Sequence, residues 1–583
     1  MEETRVTITG DNVSKFKGIA SESCNTIIVS TFFKPIEKEK PSRNRLVLAE
    51  GSKSILKESC RILEYSGLLF VYGIPTELWL WAHYLLRLND NTVKMLFKYW
   101  IALDIDNRAR NDYLMPTHQG VLMFLKTRAN VKNVSPFFLN TKEVRIPHKY
   151  CKACKQNLKD WGGKKHLMNP KGTCISDIWS DLPRLTIEDN TIPNSVIERI
   201  IKLTTTVDKS SVMQIVQREK AIEIERHSSD YDFLRRSSGW ESLTEVKDNT
   251  VYNGDCITFL QRVSSIYPNG IFDLVFADPP YNLKKSYDKY DDERGDKEYI
   301  DWCNAWLYGM YKTLKPGGAF FVLNLPKWAI SHAAFLNQYL DVRHWIVWDA
   351  LSEPRGKILP AHYALLYYTK PGARTKFNYS ALGSKPVAGS VLPSDSSVYC
   401  LRATCVKNRK LSGDDEKTEL SDVWSDLHRI KHKRDRDAHP CQLPDSLMER
   451  IILLATNPGD LVFDPFGGAG TTATVSFKLG RRFVITEIDQ KYVDISNNKI
   501  SEMQRNRNLF GVIELDRKST KRPKNGISKK DIETYVQQFA RKLGKVPTED
   551  EIQEDNPEVL NKIDLLYPNR GAALKRARIV LQT

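Results

Sequence analysis

Asp278, Pro279, Pro280 and Tyr281 form a tetrapeptide suited to activating the exocyclic amine of a nucleic-acid base. Such an amine is a poor nucleophile because its lone pair is delocalised into the ring. A carboxylate and a proline-fixed backbone carbonyl can accept both of its hydrogens and return electron density to nitrogen. The proline pair holds the loop extended, and an adjacent aromatic ring offers a face for a base extruded from its helix. No covalent intermediate is required, so Cys256 is not expected to be a nucleophile. A strand-terminating turn explains so short a string equally well.

A second string changes that balance. Phe463-Asp464-Pro465-Phe466-Gly467-Gly468-Ala469-Gly470-Thr471-Thr472 follows a short strand and enters a helix-compatible stretch, Thr471 to Lys478. Glycines at a strand-to-helix turn let backbone approach a ligand closely. About 20 residues on, the apolar run at 484–488 contains Glu487, the arrangement that grips ribose hydroxyls in dinucleotide folds. The elements that position these groups are parallel strands. Phe272 to Ala277 reads as a buried strand whose carboxyl end presents Asp278 to Tyr281, where open α/β sheets bind ligands.

Residues 249–500 resemble the β class of S-adenosylmethionine-dependent DNA amino-methyltransferases, in which the catalytic motif likewise precedes the glycine motif. The resemblance implies a seven-stranded Rossmann-like fold. It places Asp464, Pro465, Phe466, Gly467, Gly468, Gly470, Thr471 and Thr472 at the methionine end of S-adenosyl-L-methionine, Glu487 on its ribose, and Asp255 and Cys256 near its adenine. It adds Asp278, His439 and Pro440 to the cofactor site, although Leu443-Pro444 stands where the family often has Lys-Pro. Asp-Pro-Pro-Tyr is the form associated with adenine N6 in DNA; cytosine N4, RNA adenine, and a non-catalytic DNA-binding scaffold are the alternatives.

The first half of the chain repeats the second in degraded form. Met115-Pro116-Thr117-His118 matches Leu359-Pro360-Ala361-His362, Asp177 to Asp181 matches Asp422 to Asp426, and Pro193 to Ile201 matches Pro444 to Ile452. Chance similarity does not hold register over such a span. Opposite Ala277 to Pro280 the first copy has Ser30-Thr31-Phe32-Phe33, without acid or proline pair. Opposite the glycine loop it runs from Thr204 almost straight into Ala221 to Glu225. The expected α/β architecture is two tandem Rossmann-like methyltransferase folds, the first degenerate (1–232) and the second catalytic (249–506), joined by a linker (233–248). An internal pseudo-dimer follows, monomeric or further dimerised.

A net charge of +16 favours a phosphate-bearing partner, here DNA. Arg402, Lys407, Arg409 and Lys410 fall in an irregular segment, 372–420, where the resemblance implies target recognition; Arg374 and Lys376 lie near its start. Arg429, Lys431, Lys433 and Arg434 form a basic run beyond it. After a basic linker (507–526), residues 527–583 resemble the small all-α helix-turn-helix repeat found beside homing endonucleases, with a helix from Asp531 to Lys542 and a capped second helix near Thr548. No apolar stretch suits a membrane span and the first residues lack a signal-peptide plan, so a cytoplasmic, nucleoid or nuclear place is expected. A restriction or accessory subunit is a further candidate partner. Ten cysteines in such a chain argue for reduced thiols. Cys151, Cys154, His166 and Cys174 admit a zinc site or plain loop thiols, and Tyr399-Cys400 with Cys405 is the matching place in the second copy.

Overall fold

A computed structural model of the chain describes residues 3–510 and 535–555, apart from 32–43, 106–113, 130–136, 158–165, 183–190, 232–239, 284–293, 351–356, 379–401, 413–419, 428–442 and shorter breaks. The chain divides into two compact units, residues 1–431 with 436–513, and 432–435 with 514–583. Among the described residues no helix is long and apolar enough to cross a membrane.

The larger unit contains two mixed sheets. In the second half, strands β12 (Thr250–Asn253), β13 (Phe272–Ala277), β14 (Leu314–Asn324), β15 (Asp341–Asp349), β16 (His362–Thr369), β17 (Val423–Trp424), β18 (Leu461–Asp464) and β19 (Arg482–Glu487) pair in the order β12-β19-β18-β13-β14-β16-β15-β17. The first five strands of that order are parallel, whereas β16 runs antiparallel to both neighbours. The resemblance implied seven strands; the eighth is the two-residue β17, which closes the edge by pairing parallel with β15. Buried runs such as Phe272–Ala277, apolar at every position but the partly buried Asp273, form strands because packing on both faces of the sheet favours near-continuous apolar residues. The helices are α4 (Cys256–Ile266), α5 (Asp296–Thr313), α6 (Pro326–Leu336), α7 (Ala403–Ser412), α8 (Asp445–Ala455), α9 (Thr471–Lys478) and α10 (Gln490–Phe510).

The first half holds β1 (Glu3–Thr9), β2 (Cys24–Ser30), β3 (Asn44–Leu48), β4 (Leu63–Gly73), β5 (Val93–Asp104), β6 (His118–Arg128), β7 (Arg145–Ile146), β8 (Thr173–Cys174), β9 (Ile178–Trp179), β10 (Ser210–Val216) and β11 (Ile222–Arg226), with α1 (Glu50–Ile62), α2 (Pro75–Arg87) and α3 (Asn194–Thr204). Its main sheet runs β1-β10-β2-β4-β6-β5-β9. The path from Thr204 to Ala221 is not the direct run expected from sequence. It contains β10, seated between β1 and β2, and the following Ile222–Arg226 leaves the sheet to pair with β3. A polar, exposed strand such as β11, buried only at Ile222, cannot occupy a sheet interior.

The two sheets share one core, in which Trp79, Trp81 and Trp100 pack into the same cluster as Trp306 and Trp345. Trp100 and Trp345 stack with centroids 3.8 Å apart. The polar contacts between halves are reciprocal. Asp177 accepts the backbone N–H groups of Ala361 and His362 at 2.8 and 3.1 Å. Asp422 accepts the Thr117 N–H at 2.8 Å and lies 3.0 Å from His118 Nδ1. The two acids differ electrostatically. Burial, with a smaller push from the Asp349 charge, raises the Asp177 carboxyl to about 7. Burial acts on Asp422 too, but His118, and after it His344, override it and hold that carboxyl well below the usual range.

In the smaller unit residues 535–540 are helical and α11 (Glu549–Asp555) begins as expected. The Thr548 N–H donates to Glu551 at 2.8 Å and the Glu551 N–H to Thr548 Oγ1 at 3.3 Å, a capping box. The closing string Tyr567 to Ala577 lies outside the described residues.

Breaking the Asp422 pair leaves buried groups uncompensated, so Asp422→Ala should cost about 3–5 kcal/mol in denaturant unfolding. Asp177 behaves oppositely. Its raised carboxyl favours folding below the unfolded value near 3.8, and that contribution fades as pH rises through about 7. Asp177→Asn should therefore flatten the stability–pH curve over that interval while leaving Asp422's contribution in place.

Candidate active site

Four carboxylates sit at the carboxyl ends of four neighbouring parallel strands. Asp255 follows β12, Glu487 ends β19, Asp464 ends β18 and Asp278 follows β13. The register sets Asn253 beside Glu487, and Asp464 beside Ile485. Asp255 caps α4 by accepting the Thr258 N–H at 2.9 Å, a contact of about 1 kcal/mol. Burial, with Asp255 alongside, drives the Cys256 thiol well above its ordinary range, which suits a packed thiol rather than a nucleophile.

The glycine loop is built around the two central acids. Asp464 accepts the Phe466 N–H at 2.9 Å and the Thr472 hydroxyl at 2.5 Å. Glu487 accepts the Gly468 N–H at 2.8 Å and the Asp489 N–H at 2.9 Å. Gly470 opens α9 with φ of +81°, and a Cβ there would come within 2.7 Å of Ser496 Oγ. Ser496 in turn donates to the Gly468 carbonyl, and Lys499 to that of Ala469. Burial raises both carboxyls, Asp464 to about 7 even against its hydrogen bonds. Two acids that burial pushes toward the neutral form fit a ligand whose positive charge and hydroxyl donors would favour the ionised form.

The Asp-Pro-Pro-Tyr loop is held from below. Tyr299 on α5 donates to the Pro280 carbonyl at 2.6 Å, and the Trp328 indole on α6 donates to the Tyr281 carbonyl at 2.9 Å. Asn324, at the end of β14, donates to the Tyr299 hydroxyl at 3.2 Å. Among the described residues none donates to the Pro279 carbonyl. Asn282 turns the chain with φ of +54° and bonds both the N–H and the carbonyl of Arg294. Tyr281 is not the open platform expected from sequence. The residue is 8% exposed, its ring lies 5.7 Å from that of Tyr363, and its hydroxyl donates to Asp278 Oδ1 at 2.5 Å.

Sequence reasoning missed Tyr299, Trp328 and Asn324. It also missed Trp302 and Trp306, whose rings lie 5.6 and 5.3 Å from that of Phe466. The four-residue spacing of those tryptophans was the available signal, since it places both on one face of α5.

The basic residues divide. Lys376 is engaged by Asp460 at 2.7 Å and Asp273 at 3.2 Å, so it is an internal brace rather than a phosphate contact. Arg402 donates to the Asn157 carbonyl at 3.0 Å, reaching the first half of the chain. Lys407 on α7 is exposed. Arg409 and Lys410 belong to the same helix, but their side chains lie outside the described residues, as do Arg429, Lys431, Lys433, Arg434, His439 and Pro440.

The DNA methylase family pattern, of the N6/N4 group, matches residues 272–498, the span that contains both motifs. Among curated relatives, the Type II methyltransferase M.BamHI of Bacillus amyloliquefaciens is 34% identical over 288 residues, 47% of this chain and 63% of that protein. The Type II methyltransferase M.HinfI of Haemophilus influenzae is 28% identical over 55% of this chain and 89% of its own length. The DNA adenine methyltransferase YhdJ of Escherichia coli K12 is 28% identical over 43% of this chain and 82% of its own. The similarity to N6/N4 DNA methylases thus lies in the second half of the chain, where acid-tipped parallel strands carry the Asp-Pro-Pro-Tyr and glycine loops side by side, and the chain spans 63% of the length of M.BamHI.

Proposed function

We propose that this protein transfers a methyl group from S-adenosylmethionine to the N6 amine of adenine in DNA. The observation that carries the reading is the seating of Asp278 at the end of β13, beside the strand that ends in Asp464. When bound, the cofactor supplies an electrophilic methyl on a cationic sulfonium. Glu487 and Asp255 would hold its ribose and adenine portions, and Asp464 with the glycine loop its methionine portion. Asp278 and the Pro279 carbonyl accept the hydrogens of the target amine. The incoming amine replaces the Tyr281 hydroxyl as donor to Asp278, and the Tyr281 ring walls the base pocket instead of lying open. The match to YhdJ, named for adenine, supports N6 over cytosine N4.

The first half is read as a degenerate copy of the same fold. Among the described residues its strand order reproduces that of the second sheet except for a counterpart of β19, the strand that ends in Glu487. Where the second half has Asp278 and Asp464, the strands β2 and β10 end at Ser30-Thr31 and Val216-Gln217. Those ends are tied shut: Gln217 donates to the Ser30 carbonyl at 3.0 Å and to Ser52 Oγ at 2.8 Å. The chain is thus an internal pseudo-dimer with one active site, its first half and helical tail serving to hold DNA.

Nucleoside mass spectrometry of DNA and RNA incubated with labelled cofactor tests the chemistry. Label should appear in N6-methyladenine of DNA; label only in N4-methylcytosine, or none, would refute it. Asp278→Ala should lower turnover by about 10²–10³-fold, as for loss of one preorganised polar partner, with cofactor affinity largely kept. Calorimetric titration should find one cofactor per chain, and a stoichiometry of two would overturn the degenerate-copy reading.

Asp464 supplies a pH signature. In the cofactor-free protein its raised carboxyl favours folding at low pH, and this contribution is lost as pH rises through about 7. A cationic ligand prefers the ionised form. The thermal shift produced by cofactor should therefore grow between pH 6 and 8, about the interval spanning that value, and Asp464→Asn should remove the trend.

A further inference from the structure

The zinc set read from sequence, Cys151, Cys154, His166 and Cys174, does not assemble. Cys174 is exposed on β8, paired with Arg145, and neither it nor the exposed His166 joins the first two cysteines. A different cysteine does. The Sγ atoms of Cys151, Cys154 and Cys405 all lie within 4.8 Å of one another, and those of Cys151 and Cys405 are 3.9 Å apart. Cys405 comes from α7 in the second half of the chain, some 250 residues from its neighbours.

From this convergence we infer that the three thiolates bind a soft divalent cation, zinc by preference, and that this ion ties the first half of the chain to α7. The first pair is presented by a tight hairpin. Tyr150 pairs antiparallel with Asn157, the Cys151 N–H donates to the Gln156 carbonyl at 2.8 Å, and the Lys155 N–H donates to the Cys151 carbonyl at 2.9 Å. Lys155, immediately after the second cysteine, has φ of +55°, which turns the backbone so that both sulfurs of the Cys-x-x-Cys unit face one side. Four sulfurs at about 2.3 Å around zinc stand about 3.8 Å apart along each edge. The observed 3.9 Å matches that edge and is far from the roughly 2.05 Å of a disulfide. Cys151 and Cys405 are 0% and 3% exposed, so their thiolates are shielded from solvent, as in a structural site, while Cys154 at the rim faces the Arg402 guanidinium at 3.7 Å. Thiolate ligands select zinc over magnesium or calcium. The rival reading, three thiols packed as small hydrophobes, leaves the hairpin geometry without a purpose. The fourth coordination position is unassigned; Cys400 lies outside the described residues.

The consequence concerns the segment expected to read DNA. With the ion in place, α7 is anchored to the first half of the chain beside the Arg402 to Asn157 contact, so the catalytically empty half braces it.

The test is metal analysis of the full, untagged chain purified under reducing conditions without chelator. About one zinc per chain is expected, with at least a tenfold loss in Cys151→Ser and Cys405→Ser and none in His166→Ala or Cys174→Ser. Cobalt exchanged into the wild-type protein should give thiolate-to-metal charge-transfer absorption and the intense visible bands of a tetrahedral site, a readout that does not depend on the variants folding. Wild-type protein that holds no zinc and takes up no cobalt, full zinc retention in Cys405→Ser, or a mapped Cys151–Cys405 disulfide would each overturn the inference.

Discussion

One hydrogen-bonded ladder governs the candidate active site: the parallel pairing of β12, β19, β18 and β13. Parallel strands end together on one edge of a sheet, so residues distant in sequence arrive as neighbours without loops to aim them. Asp255 and Glu487 are more than two hundred positions apart, yet the Asn253–Glu487 pairing makes their strand ends adjacent. A one-residue slip would exchange the side chains of the two faces. The strands that end at Asp278 and Asp464 are buried on both faces, so a slip would have to repack both cores at once, and this holds the acids in place.

The same ladder decides the electrostatics. Strand ends that meet under a helical cover bury their acids, and burial disfavours charge. Asp464 and Glu487 are accordingly shifted in the same direction, each restrained only partly by backbone N–H donors of the glycine loop. The loop therefore keeps the acids hydrogen-bonded, and in the proposed function it also approaches the ligand. Glycine permits both, because the left-handed turn at Gly470 brings the loop against Ser496, where a side chain has no room.

Much of this was legible in the sequence because it is local. The strand ending at Ala277, the glycine turn, the acid at Glu487 and the Thr548 to Glu551 cap each lie within a few residues of their own signal. What escaped notice depends on pairs far apart in the chain. Lys376 reads as a surface cation until Asp273 and Asp460 are folded beside it. Tyr281 reads as a stacking ring until Tyr363 covers it and Asp278 takes its hydroxyl. The departure of β11 from the first sheet depended on the partner strand β3, which carries no motif. Cys405 was legible as the matching place in the second copy, but its meeting with Cys151 was not, for the same reason.

The stacked pair Trp100 and Trp345, flanked by reciprocal acid-to-backbone contacts, joins surfaces that belong to one polypeptide. Two separate subunits meeting this way would come apart on dilution, and each would have to present the same patch, so that any change on one side is imposed on the other. Covalent continuity removes both requirements. The encounter becomes intramolecular, with an effective concentration set by the tether rather than by the cell. Freed from self-complementarity, the two sides can drift apart in chemistry, one acid settling beside histidines and its counterpart near neutrality, without loosening the union.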